Sequence, residues 1–254
     1  MLYHYLRRSR HFVTPCRTYS TMSNYYSSLP SSATPSSRSD FPKPAKRLAE
    51  RRSVRIPDLF SSIMASKPIV NPNYFKARAE SNRWITKVMK MDEKTSARNV
   101  GMDFCYLMSI RAPDADEEAL KMITNWVQWV FYFDDQFDEG HLRDDPAAAE
   151  EEIDKTTAIM DEAAPLVTPT ENPIRHIFQT CWLQFKQRAS PELQQRYKVE
   201  NKRFCDGILL QVQQLARGEI LSRDVPTYLS DRRGSVGVYP AVPIVEYAHD
   251  IKLP

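Results

Sequence analysis

Residues 116–140 read DEEALKMITNWVQWVFYFDDQFDEG, a long apolar and aromatic stretch that ends in a group of acids. Its apolar side chains recur at helical spacing, which predicts a helix over about 116–139 that packs into the protein interior. Asp114 or Asp116 can cap its first turn, and Gly140 can close its last. Acids at the end of so apolar a helix require a partner that offsets their charge.

The four acids divide between two sides of the predicted helix. At about 100° per residue, Asp134 and Asp138 point the same way, whereas Asp135 and Glu139 turn toward the other side, near Tyr132. Two carboxylates therefore stand at the end of an apolar stripe that faces the interior. The stripe carries Trp126, Val127, Val130, Phe131 and Phe137.

Lysine or arginine from a neighbouring helix, or a hard divalent cation, would offset the charge of these carboxylates. Mg²⁺ binds one or two carboxylates, keeps several waters and takes phosphate oxygens of a substrate. The pattern thus suits a cavity whose mouth holds Mg²⁺ and an anionic leaving group. Its aromatic floor would hold a hydrocarbon and stabilise carbocations through the ring faces.

Acids around a glycine also occur in EF-hand calcium loops and at solvated helix ends. An EF-hand loop is excluded, because placing Gly140 at its glycine position puts Phe137 where an oxygen ligand is needed. A solvated helix end stays open as an alternative. The helix dipole is negative at a C-terminus and disfavours acids there, which favours metal binding over this alternative.

The composition predicts an all-α protein. The 254 residues include only 6 Gly, and runs of Leu, Ala, Glu, Lys and Gln occur without strict alternation of polar and apolar positions. Ser190 and Pro191 form a helix start, and Gly218 follows the corresponding helix end. Besides the acidic helix, we predict helices over residues 73–91, 95–110, 143–164, 174–188 and 191–217.

Residues 1–52 differ from the predicted helical domain, 53–254. Their segment SSLPSSATPSSRSDFPKP is rich in Ser and Pro and predicts disorder. Five arginines and no acid precede Asp40, a bias typical of a mitochondrial transit peptide. A plain disordered tail, or a start placed too early with Met22 as the true beginning, are the alternatives. The expected compartment is cytoplasmic, with mitochondrial as the alternative.

Several function classes are disfavoured by composition. The net charge is +3 and no basic stripe with interleaved aromatics occurs, so nucleic acid is not an expected partner. No apolar run approaches the length of a membrane-spanning helix. The four cysteines form no CxxC pair and are predicted to be reduced thiols of an intracellular protein.

Two blocks resemble one family. DDQFDE, 134–139, resembles the aspartate-rich DDxxD motif of class I terpene synthases, and 112–140 as a whole is similar to the acidic helix of microbial sesquiterpene cyclases. YLSDRRGSVGVYP, 228–240, resembles the region that carries their diphosphate-sensing arginine. The resemblance spans about 53–254 and implies the helical bundle of class I terpenoid synthases, incomplete at its C-terminus.

The resemblance implies roles for the acids. Asp134 would be the principal Mg²⁺ ligand, with Asp138 nearby or as a weaker ligand. Asp135 and Glu139 would flank these ligands without being the main metal contacts. Phe131, one turn before Asp134, would line the substrate cavity.

The resemblance also implies roles around the second block. Arg233 would sense the diphosphate, with Arg232 as the competing choice for that role. Gly237 would be the position where a helix breaks and a backbone carbonyl points at the substrate. The implied reaction is Mg²⁺-dependent ionisation and cyclisation of an isoprenoid diphosphate, with farnesyl diphosphate as the expected substrate.

The sequence departs from the family pattern at its end. Class I cyclases carry a second metal motif of Asn, Ser and Glu, several dozen residues after the sensor arginine, and later an Arg-Tyr pair. Pro254 is only 21 residues after Arg233, so neither feature falls within these residues. We therefore expect a truncated chain with half of a three-ion Mg²⁺ site and little cyclase activity of its own.

Two alternative functions stay open. Chain-elongating prenyltransferases also use DDxxD motifs, but they carry two, and DDxxD occurs once here. A non-catalytic helical protein that binds a partner is the other alternative. Magnesium-dependent binding of a diphosphate analogue would separate that alternative from the enzymes.

Overall fold

The structure is a computed structural model that describes residues 55, 58–62, 64–161, 164–219 and 224–252. The predictions for residues 1–52 lie outside this part of the chain. The chain divides into two compact units, one of which is Cys16–Pro68. In the described part of that unit, Asp58 accepts hydrogen bonds from the backbone amides of Phe60 and Ser61 and so closes a local turn. The helices of the described residues belong to the other unit.

The described residues of the larger unit form helices joined by loops, and no strand occurs among them. This confirms the all-α prediction. None of the helices in the described part of the chain is long and apolar enough to cross a bilayer. The helices are α1 Tyr74–Val88, α2 Glu93–Met102, α3 Phe104–Arg111, α4 Glu117–Asp138, α5 Pro146–Thr157, α6 Pro173–Arg188, α7 Pro191–Ala216, α8 Val225–Ser235 and α9 Val238–Ala248, with a 3-10 turn at Ala158–Met160.

Helix α4 is the centre of the unit and packs against α1, α3, α6, α7 and α9. It begins where predicted, because the Asp116 carboxylate accepts a hydrogen bond from the Ala119 amide at 2.8 Å. It ends at Asp138, and Gly140 follows so closely that a Cβ there would lie 2.7 Å from the Gln136 carbonyl oxygen. Only glycine fits that approach.

Aromatic contacts fix α4 to its neighbours. The Trp129 ring packs against Phe178 of α6, with ring centroids 4.4 Å apart. The Trp126 indole N–H donates to the Tyr197 hydroxyl of α7 at 2.8 Å, which satisfies a polar group inside an otherwise apolar interface. The core therefore holds α4 from several sides and sets the direction in which its final turns point.

The prediction of one helix over 95–110 is wrong, since the chain breaks between α2 and α3 at Asp103. This residue adopts φ +51°, and its carboxylate accepts hydrogen bonds from the Tyr106 amide, the Tyr74 hydroxyl and the Arg78 Nε. Burial, and then the Asp103 carboxylate, raise the pKa of Tyr74 to about 12. Contacts from α1 thus override the local helical pattern.

The other helix ends follow the sequence signals more closely. Ser190 caps α7 through its hydroxyl, and Gly218 follows α7 in the left-handed conformation with φ +71°. The amphipathic segment predicted over 143–164 forms a shorter α-helix. Asp145 caps α5 by accepting from the Ala148 amide, and the 3-10 turn replaces the last predicted turns.

A buried ion pair connects helix α9 to α7. Glu246 is almost fully buried and accepts hydrogen bonds from the guanidinium of Arg196, which lies on α7. The pairing offsets the cost of placing the Glu246 carboxylate in the interior. It also fixes α9 on the same helix that α8 crosses.

Helices α7 and α8 touch through their backbones at Gly207 and Gly234. A Cβ on Gly207 would lie 2.4 Å from the carbonyl carbon of Gly234, so no larger side chain fits there without moving a helix. Gln211 follows Gly207 by one helical turn, and Arg232 precedes Gly234 by two residues. The close crossing therefore brings Gln211 and Arg232 within reach of each other.

We predict that Gly207→Ala destabilises the protein by about 1–3 kcal/mol, although alanine is the better helix former, because the new methyl group overlaps the α8 backbone. Gly101→Ala in α2 is the matched control, because a Cβ there meets nothing within 4 Å. That variant should gain up to about 1 kcal/mol. Urea unfolding measures both values, and midpoints that move in the same direction would contradict the backbone contact.

Candidate functional site

A cavity of about 110 Å³ lies between α4 and the break that separates α8 from α9. Most of its wall is apolar, and Asp134 contributes a carboxylate to it. Trp126, Val127, Val130 and Phe131 line it, as their predicted common face requires. The full lining is Leu107, Arg111, Trp126, Val127, Val130, Phe131, Asp134, Phe204, Ser235, Val236, Gly237, Val238 and Ala241.

The residues that follow Asp134 at the end of α4 do not line the cavity. Phe137, predicted on the stripe, does not line the cavity. It is buried against Phe133, with ring centroids 4.9 Å apart. Asp135 is half-buried, and Glu139, which follows the end of α4, is exposed. Of the four acids, Asp134 is the one that lines the cavity, and Asp138 lies one helical turn further along α4.

Burial and neighbouring carboxylates raise the pKa values of Asp134 and Asp135. Burial, followed by the negative charge of Asp138, holds the pKa of Asp134 well above its usual range, and Arg232 counteracts this shift in part. Burial, followed by the charges of Asp134 and Glu139, raises the pKa of Asp135 to about 7. A cation placed among these groups would relieve both the repulsion and the loss of hydration.

A line of hydrogen bonds joins the acidic helix to α8 through α7. Arg232 is buried and donates from Nη1 to the side-chain oxygen of Gln211 at 2.8 Å. The Gln211 amide nitrogen donates to Asp138 Oδ1 at 2.7 Å. The guanidinium and the carboxylate are thus held near each other with a neutral amide between them.

The neighbouring arginine points elsewhere. Arg233, the first choice for the diphosphate sensor, is exposed, and Arg232, the competing choice, occupies the inward position beside the acids. Adjacent helical residues differ by about 100° in direction, so only one of the two can face α7. The contact between Gly207 and Gly234 sets the rotation of α8 that selects Arg232.

The break between α8 and α9 occurs at the expected glycine. Gly237 has φ +72° and is the residue before the first turn of α9, a left-handed conformation that favours glycine. A Cβ there would stand 3.6 Å from both Val130 and the Phe204 ring. Backbone groups freed by the break therefore lie in the wall of the cavity.

The acids fit a divalent metal that keeps open positions. Among the described residues, no group of three or more His, Cys, Asp or Glu side chains is gathered as a complete metal site. Asp134 and Asp138 instead offer two half-buried carboxylates one helical turn apart. That set suits a hard cation that completes its shell with water and substrate oxygens, rather than a cation enclosed by protein.

Sequence reasoning missed Gln211, Phe204 and Arg111. Gln211 stands in the run QVQQ of α7, where nothing distinguishes it from the other glutamines. Phe204 and Arg111 reach the cavity from α7 and from the end of α3. The one available signal was Gly207, because a glycine inside a long helix indicates a close approach.

We predict that Asp134→Asn stabilises the metal-free protein. Because the folded state raises the pKa of Asp134 to about 6, the unfolded chain loses this proton at lower pH, and stability falls as pH rises from about 4 to about 6. The neutral side chain should therefore gain about 1–2 kcal/mol near pH 8 and almost nothing near pH 4. Chemical denaturation across this pH range, without divalent metal, measures the gain.

Asp144→Asn is the matched control, because Asp144 is exposed and the substitution is the same. It should leave stability nearly unchanged at every pH. A gain from Asp134→Asn that does not depend on pH would contradict the electrostatic origin of the effect.

Comparison with known proteins gives consistent matches. The family model described as terpene synthase family 2, C-terminal metal binding, matches residues 125–254. The (+)-eremophilene synthase of Gibberella fujikuroi is 43% identical over 200 residues, which cover 79% of this chain and 56% of that protein. The (1R,4R,5S)-(-)-guaia-6,10(14)-diene synthase of Fusarium mangiferae is 39% identical over 216 residues, covering 81% and 54%.

The fold is also found among solved structures. The crystal structure of an a-eudesmol synthase superposes with a TM-score of 0.64 at 20% sequence identity, covering 80% of this chain and 64% of that chain. This likeness concerns the fold alone. The chain spans about half the length of the curated relatives it matches.

Proposed function

The chain belongs to terpene synthase family 2, and on that premise we propose that it acts in the Mg²⁺-dependent ionisation and cyclisation of an isoprenoid diphosphate, as a sesquiterpene synthase. Farnesyl diphosphate is the proposed substrate. The relatives named for eremophilene and guaiadiene, both sesquiterpenes, support this choice. The proposed compartment is the cytoplasm, with mitochondria as the alternative.

One observation carries the proposal: a carboxylate lines an apolar, aromatic-lined cavity, and the carboxylate one helical turn further on is joined to a buried arginine. Asp134 lines that cavity, while Asp138 is connected to Arg232 through Gln211. An isoprenoid diphosphate has the matching two halves, a polyanionic head and a hydrocarbon tail. A site for a purely apolar ligand would have no reason to hold the carboxylates and the guanidinium here.

The acids have the role of holding the metal. Asp134 and Asp138 are the proposed ligands of Mg²⁺, with Asp135 and Glu139 close enough in the chain to adjust the charge around them. When bound, Mg²⁺ supplies positive charge that stabilises the departing diphosphate. The family resemblance implies three ions, of which these residues would hold the aspartate-rich share.

Arg232 has the role of holding the diphosphate. A guanidinium donates several hydrogen bonds to phosphate oxygens in a fixed geometry, and a buried one does so in competition with little water. Its contact with Gln211 uses one N–H group of Nη1, and a guanidinium has five N–H donors. Arg233, being exposed, is less suited to this role.

The cavity wall has the role of receiving the hydrocarbon. Trp126, Phe131 and Phe204 present aromatic groups that exclude water and can stabilise a carbocation through their faces. The helix break at Gly237 places backbone groups beside the same space, where a carbonyl oxygen can face positive charge. These residues would shape the folding of the allylic cation after ionisation.

We predict that Arg232→Ala weakens the binding of inorganic pyrophosphate, measured by titration calorimetry at saturating Mg²⁺, by about tenfold or more, because a charge-assisted contact is lost. Arg233→Ala is the matched control and should change the affinity by less than about twofold. A larger loss from Arg233→Ala would assign the role to the exposed arginine instead. No Mg²⁺-dependent binding by the unaltered protein would favour the non-catalytic alternative.

We further predict little product from the 254-residue chain with farnesyl diphosphate and Mg²⁺. The proposed reaction relies on three ions, and the acids described above supply only part of their ligands. Gas chromatography with mass spectrometry of the extracted products measures the turnover. Turnover at an ordinary enzymatic rate, lost in Asp134→Ala, would contradict this expectation while supporting the proposed reaction.

A further inference from the structure

We propose that Gln211 is a positioning residue that keeps Asp138 and Arg232 from pairing directly, so that each can serve its own ligand. This inference rests on the proposed function, in which Asp138 takes part in metal binding and Arg232 binds diphosphate. Gln211 would touch neither the metal nor the reacting atoms. Its role would be to hold the two charged groups at a set separation.

The orientation of the Gln211 amide follows from its two partners. A carboxylate can only accept a hydrogen bond, and a guanidinium can only donate one. The amide nitrogen must therefore face Asp138, at 2.7 Å, and the amide oxygen must face Arg232, at 2.8 Å. In the reversed orientation the amide oxygen would face the Asp138 carboxylate and the amide nitrogen would face the Arg232 guanidinium. The two contacts therefore fix one orientation.

The neutral Gln211 amide matters because a direct ion pair between Asp138 and Arg232 would be strong. Arginine and carboxylate groups that meet directly often form two parallel hydrogen bonds. Such a pair would consume the oxygens that a metal needs and the N–H groups that a diphosphate needs. Gln211 instead takes one acceptor position of Asp138 and one of the five N–H donors of Arg232. Neither contact is an ion pair between the two charged groups.

The α7–α8 crossing determines which side chain can make this bridge. Gly207 and Gly234 bring the two backbones into contact, and Gln211 lies one turn from that contact. Asparagine is one methylene shorter and would not reach both partners. Glutamate has the right length but cannot donate to Asp138, and it would pair with Arg232 as a second carboxylate.

The test uses two nearly isosteric substitutions in the full 254-residue chain. Gln211→Met removes both hydrogen bonds, and Gln211→Glu replaces the amide with a carboxylate. Gln213→Glu is the matched control, because it makes the same charge change on the other side of α7. Two probes are titrated: Mn²⁺ alone, followed by electron paramagnetic resonance, and inorganic pyrophosphate at saturating Mg²⁺, followed by calorimetry.

We expect Gln211→Met to weaken both probes by about fivefold or more, because Asp138 and Arg232 then pair with each other. Gln211→Glu should weaken pyrophosphate by about tenfold, since the new carboxylate occupies Arg232, yet retain or tighten Mn²⁺ binding. Gln213→Glu should leave both affinities within about twofold. A purely structural role would instead change both affinities together in both Gln211 variants, in step with thermal stability.

Failure of the positioning role can be distinguished from failure of the proposed function. If the unaltered protein binds both probes and both Gln211 variants bind them equally well, the positioning role is overturned and the proposed function stands. Equal losses of both probes in Gln211→Glu would also overturn the role. If the unaltered protein binds neither probe, the proposed function fails and this inference fails with it.

Discussion

The structure depends on the burial of α4. This helix packs against five other helices, so its apolar stripe cannot be exposed without dismantling the core. The stripe leads directly into Asp134 and Asp138, which the same packing turns away from bulk water. The raised pKa values of Asp134 and Asp135 are the electrostatic result. Burial of the apolar stripe of α4 stabilises the fold, whereas burial of its carboxylates costs free energy. Such a conflict is expected where a protein binds a charged ligand.

Much of the central helix could be predicted from sequence, because the signals there are local and agree with one another. Asp116 caps the helix, apolar residues repeat at helical spacing, and Gly140 allows the close turn at the end. The Asp103 break could not be predicted in this way. It depends on Tyr74 and Arg78 from another helix, and no local pattern announces those contacts.

At the candidate site, local sequence patterns likewise could not distinguish between Arg232 and Arg233. The sequence indicated that a basic residue near 232–233 belongs with the acids, but the rotation of α8 decides which one. That rotation depends on the contact with α7 at Gly207, more than twenty residues earlier in the chain. Gln211 was missed for the related reason that its importance lies in two partners from different helices. Composition and periodicity do not specify pairwise contacts between distant segments.

The contact between Gly207 and Gly234 is not symmetric, and the asymmetry limits how the sequence can change. A Cβ on Gly234 would approach the Gly207 Cα at 3.2 Å, which requires a shift of only a few tenths of an ångström. A Cβ on Gly207 would meet the α8 backbone at 2.4 Å, which no side-chain movement can relieve. Substitution by alanine or serine is therefore less restricted at position 234 than at position 207. Neutral variation should accumulate on one side of this crossing while the other side remains glycine.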